Sequence, residues 1–87
     1  MKNFEDIFIK NIPTIDLHGY DRESARVATN DFVAEAVGMG YSKIMIIHGI
    51  GSGIVKGTVH ETLERNKNVL NYYVYGMNVG CTIIQIK

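Results

Sequence analysis

The chain has 87 residues, 46% of them hydrophobic and 21% charged, which is enough for one domain around a modest core. Its formal net charge of +0 argues against strong nonspecific attraction to a polyanion but leaves room for a local basic patch. The single cysteine, Cys81, excludes an internal disulfide and is typical of the reducing cytoplasm, where we expect the protein to act. No signal-peptide pattern and no apolar run near the ~20 residues that span a bilayer is present, so no membrane partner is expected.

The N-terminal residues 1–12 differ in pattern from the rest of the chain. Phe4, Ile7 and Phe8 have helix-like spacing, which predicts an amphipathic arm that packs on the domain or on a partner. We expect residues 13–87 to form the domain itself.

The first predicted strand runs from Thr14 to His18. Strand alternation places Ile15 and Leu17 on one face, while Asp16 and His18 share the other. The polar face therefore carries a carboxylate and an imidazole at the strand end.

A helix is predicted next, from about Arg22 to Val37. Apolar residues recur there at spacings of three and four, which gives a single apolar stripe. Asp21 is a suitable N-cap, and Gly38 and Gly40 are expected to end the helix. A nearly continuous apolar run over Lys43 to Ile47 then predicts a central strand.

The second half of the chain predicts a helix and two strands. The helix starts near Gly53, with Lys56, His60 and Glu64 on its polar side, so His60 is expected to be solvated. The strands Val69 to Tyr75 and Cys81 to Ile86 are separated by a short, turn-rich segment, which indicates an antiparallel hairpin. Tyrosines in the first of these strands fit a sheet surface better than a base-stacking platform.

The predicted order is therefore β-α-β-α-β-β. This order favours a two-layer α/β (α+β) sandwich, with a four-stranded mixed sheet and both helices on one face. Each of the first two strands ends in a His-Gly step, at His18-Gly19 and at His48-Gly49. Because parallel strands end at the same edge of a sheet, both histidines should line one crevice there.

Asp16 lies two residues before His18, and such a carboxylate can orient an imidazole and stabilise the imidazolium formed in proton transfer. An isolated Asp-x-His is more often structural, with the histidine bonded to nearby backbone. The convergence of His18 and His48 at one edge favours a site.

The glycine-rich run from Gly49 to Gly53 fits neither of two phosphate-binding motifs. Lys56-Gly57-Thr58 has the wrong order for a P-loop, and Ile54 stands where a dinucleotide fingerprint has its third glycine. What remains is a turn whose N–H groups and helix terminus favour phosphate, or a plain tight turn.

Three motifs together resemble the Smr (small MutS-related) domain over residues 13–87: Asp-Leu-His-Gly, His-Gly-x-Gly-x-Gly and Gly-x-Thr-Ile-Ile. The fold of that family is similar to the C-terminal domain of a bacterial translation initiation factor. The resemblance implies nucleic-acid binding with endonuclease activity, as nicking of DNA or cleavage of RNA. This chain departs from the family pattern at Ile50, often a basic residue, and in a final hairpin without the doubled glycine.

The expected function is thus endonucleolytic cleavage of DNA or RNA, with catalytic Asp16, His18 and His48. The residues expected to hold phosphate or nucleic acid are Gly49, Gly51, Ser52, Gly53, Lys56 and Arg22. A non-catalytic module that binds nucleic acid or protein is the main alternative, and a hydrolase of a small phosphorylated molecule is another. No ligand spacing is diagnostic of a metal, so a divalent cofactor such as Mg²⁺ stays open.

Overall fold

The structure, a computed structural model, describes residues 12–76 and 80–87. The arm expected over residues 1–12 therefore lies, apart from Ile12, outside the described residues, as do residues 77–79 of the predicted turn. The elements are β1 (Thr14–Asp16), α1 (Arg22–Met39), β2 (Lys43–Ile47), α2 (Ile54–Arg65), β3 (Val69–Val74) and β4 (Cys81–Ile86).

Strand β1 ends at Asp16, two residues before the predicted end at His18. The reason is local, because Oδ1 of Asp16 accepts the backbone N–H of His18 at 3.0 Å. The N–H of Leu17 still donates to the carbonyl of Ile47 at 2.7 Å, so backbone pairing with β2 continues up to the residue before this turn. The chain then turns sharply, and the N–H of Tyr20 donates back to the carbonyl of Leu17.

Helix α1 confirms the predicted N-cap and corrects the predicted end. The side chain of Asp21 accepts the N–H of Ser24 at 2.7 Å and satisfies one of the free donors of the first turn. The helix runs through Gly38 to Met39, beyond the predicted Val37, and stops at Gly40, whose φ of 77° is left-handed. Gly38 is tolerated because one interior glycine weakens a helix without breaking it.

The four strands form one mixed sheet in the order β1-β2-β4-β3. β1 and β2 are parallel and β3 and β4 are antiparallel, as the sequence predicts. β4 also pairs antiparallel with β2, which the sequence did not predict. The core includes Leu17, Val33, Ile46, Val59 and Ile84, and it joins residues of both helices to one face of the sheet.

Strand β4 is central, and its alternation decides which residues lie beneath the helices. Ile84 and Ile86 belong to the helix-side core, so Thr82 lies on the same face of the sheet. Cys81 is buried as predicted, and burial raises the pKa of its thiol, which disfavours the reactive thiolate. Within the described residues, neither helix is long and apolar enough to cross a bilayer.

Candidate functional site

The two His-Gly steps meet at one edge of the sheet, as expected. Asp16 pairs with Ile47 in the parallel register, so the chain leaves both strands at the same level. His18 and His48 both line a crevice of about 830 Å³ at this edge. The first two strands therefore bring their histidines to one place, although the two residues lie in different environments.

Asp16 and His18 form a close, exposed pair. Nδ1 of His18 lies 2.7 Å from Oδ1 of Asp16, and the two side chains are 73% and 50% exposed, respectively. The hydrogen bonds from His18 lower the pKa of the Asp16 carboxyl, so this oxygen is an ionised acceptor and Nδ1 of His18 is the donor. A neutral His18 ring then keeps its basic lone pair on Nε2, which has no hydrogen-bond partner within the described residues.

The glycine-rich loop begins in close contact with this pair. Gly49 has a φ of 84°, and a Cβ at this position would lie 3.2 Å from the Cβ of His18. A side chain there would be strained by the backbone conformation and crowded by His18. Gly49 is therefore required for the approach of the loop to His18, a stronger constraint than a tight turn alone.

Helix α2 starts at the end of the loop and presents an unblocked N-terminus to the crevice. Its N-cap is Gly53, with a φ of 85° and no side chain to satisfy the first-turn donors. The hydroxyl of Ser52 accepts the N–H of Ile54 only at a long 3.4 Å. Lys56 lines the crevice one turn further on, so the helix terminus and an ammonium group lie beside the same space.

Arg22 lines the crevice from the start of α1. Neither Arg22 nor Lys56 forms an ion pair with any of residues 12–76 or 80–87, so both charges are available to an anion. Apolar side chains border the same space, because Tyr20, Ile50 and Ile54 line it and are all exposed. The crevice thus combines positive charge with apolar surface.

His48 differs from His18 because it is 3% exposed and both of its ring nitrogens have partners. Nδ1 lies 3.1 Å from the carbonyl oxygen of Gly49, and Nε2 lies 2.8 Å from Oγ1 of Thr82. To donate a proton or bind phosphate, His48 would first have to release one of these partners. This geometry favours a positioning role for His48 over the direct one predicted.

The prediction that His60 is solvated is wrong. Its Nε2 lies 2.7 Å from the same Thr82 hydroxyl, and its ring stacks at a tilt on Tyr72, with the ring centroids 5.0 Å apart. Thr82 itself received no role in the sequence analysis. The only sequence signal for it is its place in the Gly-x-Thr-Ile-Ile motif, because strand alternation alone does not identify its partners.

No metal centre is evident among the residues that the structure describes, since no three of their His, Cys, Asp or Glu side chains are grouped to hold an ion. Mg²⁺ takes oxygen ligands, usually one or two carboxylates with water. At the crevice, Oδ1 of Asp16 is already bonded to His18, and the Asp21 side chain caps α1. This donor set does not fit a preformed Mg²⁺ site.

Comparison with known proteins agrees with this geometry. The Smr domain family model matches residues 15–87. The chain is 32% identical over 84 residues to Endonuclease MutS2 of Clostridium novyi, covering 91% of this chain and 11% of that protein. It is 36% identical over 77 residues to Endonuclease MutS2 of Staphylococcus saprophyticus, covering 84% and 10%, respectively. The chain therefore spans only about a tenth of the length of these relatives.

Two solved structures share the fold. The Smr domain of Thermus thermophilus MutS2 superposes with a TM-score of 0.85 at 24% identity, covering 87% of this chain and 99% of that one. YdaL, a stand-alone small MutS-related protein from Escherichia coli, gives 0.80 at 22% identity, covering 85% and 63%. Together with the family match over the His-Gly motifs, these likenesses lead to one conclusion: the chain belongs to the Smr domain family.

Proposed function

We propose that this protein binds DNA or RNA in the crevice and cleaves its phosphodiester backbone, in the cytoplasm. The observation that carries the proposal is the Asp16–His18 pair, whose Nδ1 and Oδ1 atoms lie 2.7 Å apart. His18 lines a crevice that is also lined by the Arg22 and Lys56 side chains and by the N-terminus of α2. Membership of a family that includes MutS2 endonucleases supports it.

In this mechanism, Nε2 of His18 takes a proton from the attacking water, or from a ribose 2′-hydroxyl if the substrate is RNA. The carboxylate of Asp16 stabilises the imidazolium that forms, because it already accepts the hydrogen bond from Nδ1. Negative charge that develops on the phosphate is stabilised by the N-terminus of α2, Lys56 and Arg22. The leaving oxygen takes its proton from solvent at the open crevice.

A nucleic acid fits this crevice better than a small phosphorylated molecule does. Tyr20 and Ile50, 43% and 73% exposed, border it and offer apolar surface to a nucleobase beside the phosphate. A small metabolite would more often be enclosed by its pocket. Recognition of a polyanion also agrees with the two cationic side chains, Arg22 and Lys56, that line the crevice.

The test is cleavage of supercoiled plasmid and of a structured RNA, with and without EDTA. The control is an Asp16→Ala/His18→Ala double variant purified in parallel, which separates intrinsic activity from a contaminating nuclease. We expect cleavage of one substrate by the wild type and none by the folded double variant. Equal rates for both proteins would overturn the proposal.

Binding is measured separately, because a module that has lost catalysis would keep it. Titration with a short oligonucleotide should shift the amide NMR signals of the loop from Gly49 to Gly53, and affinity should fall steeply with added salt. Salt-sensitive binding without cleavage would favour the alternative, a non-catalytic nucleic-acid module. Shifts confined to the opposite face of the sheet would contradict both functions.

A further inference from the structure

At the crevice, three polar side chains from separate parts of the sequence form a continuous hydrogen-bonded network. Oγ1 of Thr82, on β4, lies 2.8 Å from Nε2 of His48 and 2.7 Å from Nε2 of His60 on α2. Thr82 is fully buried, so water does not substitute for either partner. The two imidazole rings meet edge to face, with their centroids 5.7 Å apart.

Because the Thr82 hydroxyl has one hydrogen, it fixes which group donates and which accepts in each of these hydrogen bonds. Nδ1 of His48 faces the carbonyl oxygen of Gly49 at 3.1 Å, and a carbonyl only accepts, so Nδ1 carries the proton. In the neutral ring, Nε2 of His48 is then an acceptor, and the Thr82 hydroxyl must donate to it. Because that hydroxyl has a single hydrogen, it accepts from His60, whose proton therefore lies on Nε2.

These hydrogen bonds affect the crevice because His48 in turn binds the backbone of Gly49. The ring of His48 binds the Gly49 carbonyl, while the backbone N–H groups of His48 and Gly49 both donate to the carbonyl of Gly80, at 2.8 and 3.0 Å. Gly49 is thereby held on two sides, and on the third its backbone passes so near His18 that an added Cβ would lie 3.2 Å from the Cβ of His18. Gly49 thus connects the hydrogen bonds of His48 and Thr82 with the exposed Asp16–His18 pair.

We propose that Thr82 and His60 are positioning residues of this site: through His48, held as the Nδ1–H tautomer, they fix Gly49 against His18. The catalytic part of this inference rests on the proposed function, whereas the tautomer assignment does not.

The surroundings of the hydrogen-bonded network favour the neutral form of the His48 and His60 rings. Burial lowers the pKa of His48 and of His60, and Lys56 contributes to both shifts. Tyr72 packs on the His60 ring, and its hydroxyl donates to Oε2 of Glu64 at 2.7 Å. Next to the two histidine rings, the charged or titratable side chains are thus Lys56, Tyr72 and, through Tyr72, Glu64. None of these three is hydrogen-bonded to either ring.

The first experiment is long-range ¹H–¹⁵N NMR of the histidine rings in the wild-type protein near pH 7.5. We expect His48 to be protonated on Nδ1 and His60 on Nε2, in slow exchange with other forms. The reverse assignment, the same tautomer in both rings, or rapid averaging between tautomers would overturn the inference. This measurement needs neither a substrate nor a variant.

The second experiment compares Thr82→Val with Thr82→Ser, since valine keeps the shape of threonine and serine keeps the hydroxyl. In the valine variant we expect the His48 tautomer to become mixed, the Gly49 amide signal to move, and kcat to fall about ten- to a hundredfold with a smaller change in KM. The serine variant should restore all three. A valine variant with kcat within about twofold of the serine variant, and an unmoved Gly49 signal, would overturn the positioning role.

His60→Phe provides an independent variant if the valine variant does not fold. Phenylalanine keeps the packing against Tyr72 but removes the N–H donor, so a smaller loss of kcat in the same direction is expected. A wild-type kcat in this variant would remove His60 from the proposal. If the wild type cleaves nothing, the proposed function fails, while the tautomers and the Gly49 signal still decide whether the network positions the loop.

Discussion

Two histidine clusters lie at the same edge of the sheet and differ in nearly every physical respect. The Asp16–His18 pair is exposed and contains a carboxylate. In the His48–Thr82–His60 cluster, which is linked by a hydroxyl group, His48 and Thr82 are buried and His60 is half-buried. The environment of an imidazole, and not the His-Gly motif that contains it, therefore decides whether the ring can transfer protons.

The reason is the cost of charge. An exposed imidazole beside a carboxylate can accept a proton, because water and the neighbouring anion stabilise the cation. A buried imidazole next to a neutral hydroxyl has no such partner, so burial lowers the pKa of His48 and keeps the ring uncharged. The exposed cluster is suited to transferring protons and the buried one to holding the backbone in place.

The largest effect is expected for the exposed cluster. His18→Ala should reduce single-turnover cleavage by about 10²- to 10⁴-fold, the usual range for loss of a general base. The thermal unfolding midpoint should barely move, because the side chain lies largely in solvent. Asp16→Asn is the matched control for charge, and a smaller loss is expected there. If the His18→Ala variant unfolds, the Asp16–His18 pair is structural, which would contradict its assignment to proton transfer.

The neighbouring residue should behave in the opposite way. Leu17 is fully buried in the core, one position before His18 and on the other face of the chain. Leu17→Ala should lower the free energy of unfolding by about 2–5 kcal/mol, measured by urea denaturation. Under conditions where the variant is folded, its cleavage rate should stay near that of the wild type. A loss below about 1 kcal/mol would contradict the assigned burial.

Gly49 lies between the two histidine clusters, so substitutions there test whether the loop depends on its close approach to His18. Gly49→Ala should cost about 1–2 kcal/mol from its left-handed backbone alone, and it should also slow cleavage because the new Cβ crowds His18. Gly51→Ala is the control, since that glycine has ordinary φ and nothing lies within 4 Å of an added Cβ. Equal stability and activity in the two variants would mean that the loop does not depend on its approach to His18.

The smallest effect is the pH dependence of stability. Because burial lowers the pKa of His48 and His60, the unfolded chain binds protons that the folded protein resists. The contribution of these two histidines to the free energy of unfolding should therefore be constant above the ordinary pKa of 6.5 and decline as the pH falls below it. The lowered pKa of the Asp16 carboxyl stabilises the fold above its ordinary value of 3.8, and this stabilisation is lost only as the pH falls near and below that value. His60→Phe should make the decline shallower, and an unchanged slope would show that His60 does not contribute.

The exposed cluster could be predicted from the sequence because it is local. Asp16 and His18 lie two residues apart in the sequence, and strand alternation predicts that their side chains share a face, although β1 itself ends at Asp16. Parallel pairing, inferred from the helix between two short apolar runs, brought His48 to the same edge. The N-cap at Asp21 and the glycine at the end of α1 followed from equally local chemistry.

The buried cluster could not be predicted in this way. Thr82 is 34 residues from His48 and 22 from His60, so no periodicity relates them. His60 occupies the flank of the apolar stripe of α2, where helical spacing does not distinguish a solvated side chain from one that reaches under the helix.

By itself, the sequence determined the types and order of the elements, the two faces of β1, and the residues at the ends of the first two strands, because these depend on propensity and on alternation over a few residues. Only the tertiary structure decided the strand order β1-β2-β4-β3, which inserts β4 beside β2 and brings the Thr82 hydroxyl between two histidines. The physical reason is that burial and hydrogen-bond partners are set by contacts between distant segments. The Asp16–His18 pair is local, whereas His48 owes its burial and its Thr82 partner to the fold.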